Sequence, residues 1–177
     1  MATTKQETGQ ETEREQQRSA AEPLLRPTRE ALLARAGRRA PRWKRLLRPG
    51  ATGCPAWIRR EADAQAERLG RRTPGTEHVL LALLAVREVA RSEPELAPDG
   101  VGGELLDGLG LSHARAFAAL DSGGVTLPAD PRSVEAYLAD GGTAGGTGSG
   151  VEGGADRLLR ALLAEDTRAR HLVEALR

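Results

Sequence analysis

The chain has 177 residues and balances 26 Lys+Arg against 25 Asp+Glu for a formal net charge of +1, a size that fits one domain plus tails. Only 2% is aromatic (Trp43, Trp57, Phe117 and Tyr137), so any core must be built from Leu, Ala and Val, which suit close-packed helices better than a sheet. The single cysteine, Cys54, excludes an intrachain disulfide and a cysteine zinc cluster, while the lack of an apolar run of about 18 residues and of an apolar N-terminal leader excludes a membrane span and a secretory signal; the expectation is an all-α protein of the cytoplasm.

Residues 1–22 are polar and hold no apolar residues at helical spacing, so they read as a disordered tail. The charge is unevenly placed. Residues 24–60 hold eleven Arg or Lys against the single Glu30, and residues 61–177 are net acidic. A basic segment over 23–50 is expected to carry two short helices, one over Thr28–Ala36 with Thr28 as N-cap and one over Trp43–Leu47.

The globular part is expected over 51–177. Thr52 can cap a helix with Pro55 in its first turn and Ile58, Ala62, Ala66 and Leu69 on one face, ended by Gly70. Thr76 is expected to cap the next helix. Val79, Leu80, Leu81, Leu83, Leu84 and Val86 make it apolar nearly all round, which places it at a domain centre. Residues 91–100 read as a loop. Val101, Leu105, Leu106 and Leu109 line a third helix closed by Gly110, and Ser112 caps a fourth running to about Leu120.

After Gly123-Gly124 the pattern restarts. Asp130-Pro131 opens a short helix with Val134, Tyr137 and Leu138, and 141–154 reads as a flexible Gly-rich loop. Leu158, Leu159, Leu162 and Leu163 line another helix, and Ala169, Leu172, Val173 and Leu176 the last.

Residues 75–84 (GTEHVLLALL) align with 154–163 (GADRLLRALL) at an offset of 79, with five of ten positions identical. Arg68-Leu69-Gly70, the Gly75-Thr76-Glu77-His78 stretch running into its Leu-rich helix, and Val101–Gly110 (VGGELLDGLG) together resemble the N-terminal repeat domain of the Clp chaperone ATPases. The resemblance implies two pseudo-symmetric four-helix repeats, over 52–121 and 130–177. The second is degenerate and truncated: Gly154-Ala155-Asp156-Arg157 stands where Gly-Thr-Glu-His would be.

No Gly-x-x-x-x-Gly-Lys-Ser/Thr phosphate loop and no His-Glu-x-x-His motif occurs. His78, His113 and His171 fall on separate helices without ligand spacing, and Cys54 beside Pro55 carries no nucleophile signature. No catalytic residue, metal or cofactor is expected. What the resemblance implies is a stand-alone docking domain, without the ATPase modules, for a Clp ATPase, an adaptor or a client peptide. In some members of that family the domain binds phosphorylated arginine. Carried over residue by residue, the ligand positions are Glu77, its counterpart Asp156, and Thr52; Thr76 belongs to the same helix start. Carboxylates suit the forked donors of a guanidinium. The basic residue expected near Thr52 is missing, with Cys54 there instead. The residues alone give Thr76 and Glu77 a second reading, as the hydroxyl cap and dipole-matching carboxylate of an ordinary helix start. A different function class would use the Arg-rich segment on nucleic acid or an anionic surface, with Arg45, Arg48, Arg59 and Arg60 on phosphates.

Overall fold

The apolar run Val79–Val86 ends up where its all-round hydrophobicity demands, with every residue from Thr76 to Val86 buried. The structure, a computed structural model, describes residues 22–36, 56–98, 101, 103–142 and 154–177. Among these residues it is helical, with no strand. In chain order the helices are α1 (22–36), α2 (Ala56–Arg68), α3 (Thr76–Ser92), α4 (Glu104–Gly108), α5 (His113–Asp121), α6 (Val134–Gly142), α7 (Gly154–Ala164) and α8 (Arg168–Ala175). A single 3₁₀ turn, Pro94–Leu96, follows α3.

Helix α3 is the hub. It packs against α2, α4, α5, α7, α8 and the 3₁₀ turn, while α6 packs on α7, and α7 on α8 and α4. The stripe Ile58, Ala62 and Ala66 of α2 is buried against it, and from the C-terminal part Leu158, Leu159, Leu162, Leu172 and Tyr137 are sealed from solvent. Each fully buried leucine contributes about 1.5–3 kcal/mol through removal of its surface from water.

The stop signals act as the sequence suggests. Gly70 (φ 67°) ends α2 in a left-handed cap, with Gly70 N–H donating to Glu67 O (2.9 Å) and Arg71 N–H to Ala66 O (2.8 Å). Gly110 (φ 65°) closes the turn after α4, and the Ser112 side chain accepts from Arg115 N–H at the start of α5. The third helix is shorter than expected: α4 covers only five residues, and Val101 lies outside it.

Helix α1 corrects the reading of Thr28. The helix begins by residue 22 and runs through Pro27, which forfeits one intrahelical bond near the start. Thr28 is therefore a helix-interior residue. It is 1% exposed, and its hydroxyl donates to Glu61 Oε1 of α2 at 2.6 Å. Leu32 joins the core beside it, with Leu25 and Ala36 packed alongside, and Arg29 pairs with Glu93 at the end of α3. A buried polar chain starts at this contact. Gln65 Nε2 donates to the same Glu61 oxygen (2.9 Å), and Gln65 Oε1 lies 3.1 Å from His113 Nε2. With the Gln65 amide nitrogen committed to Glu61, its oxygen must accept, so His113 carries its proton on Nε2. The second short basic helix, over 43–47, falls outside the described residues, as do the tail 1–21 and residues 143–153 of the Gly-rich loop; residues 141, 142 and 154 of that loop belong to helices.

Candidate functional site

The start of α3 and the start of α8 meet, and the meeting is organised by one carboxylate. Asp130 Oδ2 accepts from Thr76 N–H (3.0 Å), the first residue of α3, and Asp130 Oδ1 accepts from Arg168 N–H (2.9 Å), the first residue of α8. The positive ends of two helix dipoles thus share one anion. This corrects the reading of Asp130 as the opener of α6, which starts at Val134. It corrects Thr76 as well. The N-cap position of α3 is Gly75, and Thr76 is already helical. The Thr76 hydroxyl donates to Asp130 Oδ1 (2.6 Å) and accepts from Ala169 N–H (3.0 Å), so it caps the helix across the junction rather than its own.

The cap that α3 supplies from within its own sequence comes from His78. Its Nδ1 accepts from Gly75 N–H at 2.9 Å. That lone pair is committed, so the neighbouring Glu77 Oε1, 3.2 Å from Nδ1, does not make an ion pair with the ring. Burial, with Arg168 and Arg71 nearby, lowers the His78 pKa from 6.5 to about 4 and keeps the imidazole neutral.

Glu77 is 5% exposed and turned back over Gly75. A Cβ built on Gly75 would meet its Oε2 at 2.2 Å. Gly75 is required here for space, since its backbone is extended and open to any residue. Oε1 pairs with the Arg168 guanidinium (Nη1, 3.2 Å), and Oε2 is buried without a partner. Desolvation, with the nearby Asp130 charge adding to it, pushes the carboxyl pKa up against the pull of Glu77's own backbone N–H and of Arg168. Arg168 reaches in from the rim, its side chain 36% exposed, with Nε donating to Pro128 O (2.9 Å) and lying 3.9 Å from Asp130 Oδ2. The result is an acidic niche of Glu77 and Asp130, walled by Thr76 and Pro128, holding one guanidinium. Gly75→Ala is expected to cost about 1–2 kcal/mol in chemical denaturation. It should also move the Glu77 titration, followed by carbon NMR, back toward the ordinary carboxylate value as the side chain swings outward.

The structure does not bring Asp156 to this niche. Asp156 stands in the first turn of α7, where its charge acts on Arg87. Arg87 lies ten residues along α3 from Glu77, roughly 15 Å by helix rise. There Arg87 and Arg91 clasp Asp107 at the rim of a cavity of about 230 Å³ floored by Leu84, Leu106 and Leu111. The Glu77 niche is separate from that cavity. Glu88 at the cavity edge caps α5 from outside by accepting from His113 N–H (2.6 Å), and burial raises its pKa.

Thr52, Arg45, Arg48 and Cys54 fall outside the described residues. Arg59 is held by Asp63 (3.0 Å) and by Glu135 of α6, so both carboxylates compete with any phosphate; Arg60 is exposed. Sequence reasoning missed Asp130 and Arg168. Their contacts to α3 span 54 and 91 residues, and no local pattern announces them. Among the described residues no group of three or more His, Cys, Asp and Glu could hold a metal, and no helix is long and apolar enough to cross a membrane.

Compared with family models, with curated proteins and with solved structures, the chain matches none.

Proposed function

We propose that this chain is a non-catalytic docking module of the Clp repeat type, which receives an arginine-bearing segment of a client, an adaptor or a Clp ATPase subunit at the start of α3. The observation that carries the reading is that the Glu77 carboxylate, buried at a junction of two helix starts, already holds a guanidinium. A site that holds one arginine side chain has the chemistry to hold another. The helix-start amides at the same junction are spent within the chain, Thr76 and Arg168 N–H on Asp130, Ala169 N–H on Thr76 and Gly75 N–H on His78, so the guanidinium is the part of a ligand that this junction recognises. The resemblance to Clp repeat domains makes phosphorylated arginine the ligand proposed for Glu77, with Thr76 positioning the junction.

The repeat reading draws support from two sources. One is the alignment of 75–84 with 154–163. The other is reciprocal packing, α3 of the first half on α8 of the second and α7 of the second on α4 of the first. Within that frame Asp156 is the counterpart of Glu77, but its neighbour Ala155 lacks the hydroxyl that Thr76 uses, and its charge acts on Arg87. Docking is accordingly assigned to the first half. The module is proposed to work in the cytoplasm and without a cofactor.

Retention of the chain on immobilised arginine-phosphorylated peptides and on Clp ATPase subunits tests this. Wild type should be retained and Glu77→Gln, which keeps the shape and removes the charge, should not. Retention that survives Glu77→Gln, or none at all, counts against the reading. Salt-sensitive binding to DNA that disappears on deleting residues 1–50 would favour the Arg-rich segment instead.

A further inference from the structure

The niche is occupied by the chain itself, and the occupant is poorly matched to it. A carboxylate this deeply buried calls for a guanidinium that engages both its oxygens. Arg168 serves only Oε1, through Nη1 at a long 3.2 Å, while its Nε is spent on the Pro128 carbonyl and Oε2 is left buried without a partner. The Arg168 side chain is more than a third exposed while that of Glu77 is 6% exposed, so the cation can leave for water far more easily than the anion can follow it. Its main chain does not need to move for this. Arg168 N–H is fixed on Asp130, and Thr167 and Ala169 are buried on either side.

We propose that Arg168 is a tethered competitor for the Glu77 niche: its guanidinium fills the site in the resting chain, and an arginine side chain of a docking partner enters by exchanging with it. The inference rests on the docking function proposed above and adds its regulation. Being part of the chain, Arg168 presents its guanidinium at a high local concentration. Single, ordinary arginines are turned away, and only a ligand that adds further contacts beside the niche displaces it. Self-occupancy lowers the apparent affinity by the fraction of time the niche is free; for a single hydrogen-bonded contact whose cation is exposed the discount is about five-fold.

The test is a titration of a fluorescent arginine-phosphorylated peptide with wild type, Arg168→Gln, Glu77→Gln and the double variant, read by anisotropy. Arg168→Gln should bind about five-fold tighter than wild type, and the double variant should be as weak as Glu77→Gln. Equal affinity of wild type and Arg168→Gln, with Glu77 still required, overturns the competitor and leaves the docking reading standing. Weaker binding by a folded Arg168→Gln also overturns it, since Arg168 would then be a ligand contact. No binding by wild type or Arg168→Gln overturns both. Should Arg168→Gln fail to fold by circular dichroism, the wild type decides. The Arg168 Nε–Hε resonance should move to its solvent-exposed position as peptide saturates the site, and a resonance that stays in place rejects the exchange.

Discussion

Thr76→Val is expected to destabilise the folded chain by about 3 kcal/mol, measured by chemical denaturation at neutral pH. The substitution keeps the shape of a side chain that is fully buried. It removes a hydroxyl that donates to Asp130 at 2.6 Å and accepts from Ala169 N–H at 3.0 Å. The buried Ala169 N–H would then be stranded, costing about 1–3 kcal/mol, and Asp130 Oδ1 would keep Arg168 N–H but lose a charge-assisted hydrogen bond of about 1.5–3 kcal/mol. Thr76→Ser keeps the hydroxyl and should cost under about 1.5 kcal/mol, mostly for the lost methyl. If the two variants proved equally stable, the hydroxyl would not be the tie between α3 and α8.

Acid should weaken the fold through two histidines. His78 and His113 are both lowered from 6.5 to about 4, chiefly by burial, with Arg168 and Arg71 also acting on His78 and Arg68 on His113. The sign follows from proton counting. Each imidazole binds a proton more readily when unfolded, so its contribution is complete above pH 6.5 and drains away as pH falls through about 4. At full protonation the loss is on the order of 3 kcal/mol per histidine. Glu77 and Glu88 act with the opposite sign. Their raised pKa values mean that the folded chain holds those protons more tightly, so acid relieves part of the burial cost of their charges. Denaturation midpoints taken from pH 7.5 to pH 4 should therefore fall, most steeply below pH 6.5, and His113→Gln should flatten the slope. A midpoint constant over that range would mean that the two rings are not held neutral.

The all-helical architecture was legible because the chain offers Leu, Ala and Val at helical spacing with scarcely any aromatic or β-branched runs. The central place of α3 followed from an apolar surface too wide for one buried face. Gly70, Gly110 and Ser112 were readable because left-handed caps and hydroxyl caps are local chemistry. The two threonines were misassigned for the complementary reason. Local preference puts a threonine hydroxyl at its own helix start, but Thr28 and Thr76 spend theirs on Glu61 and on the Asp130–Ala169 junction, partners far away in the chain. Glu77 could be singled out from its motif. That its partner would be Arg168, 91 residues later, is a property of the folded chain that the spacing does not carry.

The central claim is that the junction of the α3 and α8 starts is where a partner's arginine lands. Amide chemical-shift mapping of the chain during titration with an arginine-phosphorylated peptide tests it most directly. The account predicts that the largest shifts fall on Gly75, Thr76, Glu77, Asp130 and Arg168. Shifts confined to the Arg59–Arg60 face of α2 or to the cavity beside Asp107, with those five amides unmoved, would contradict it.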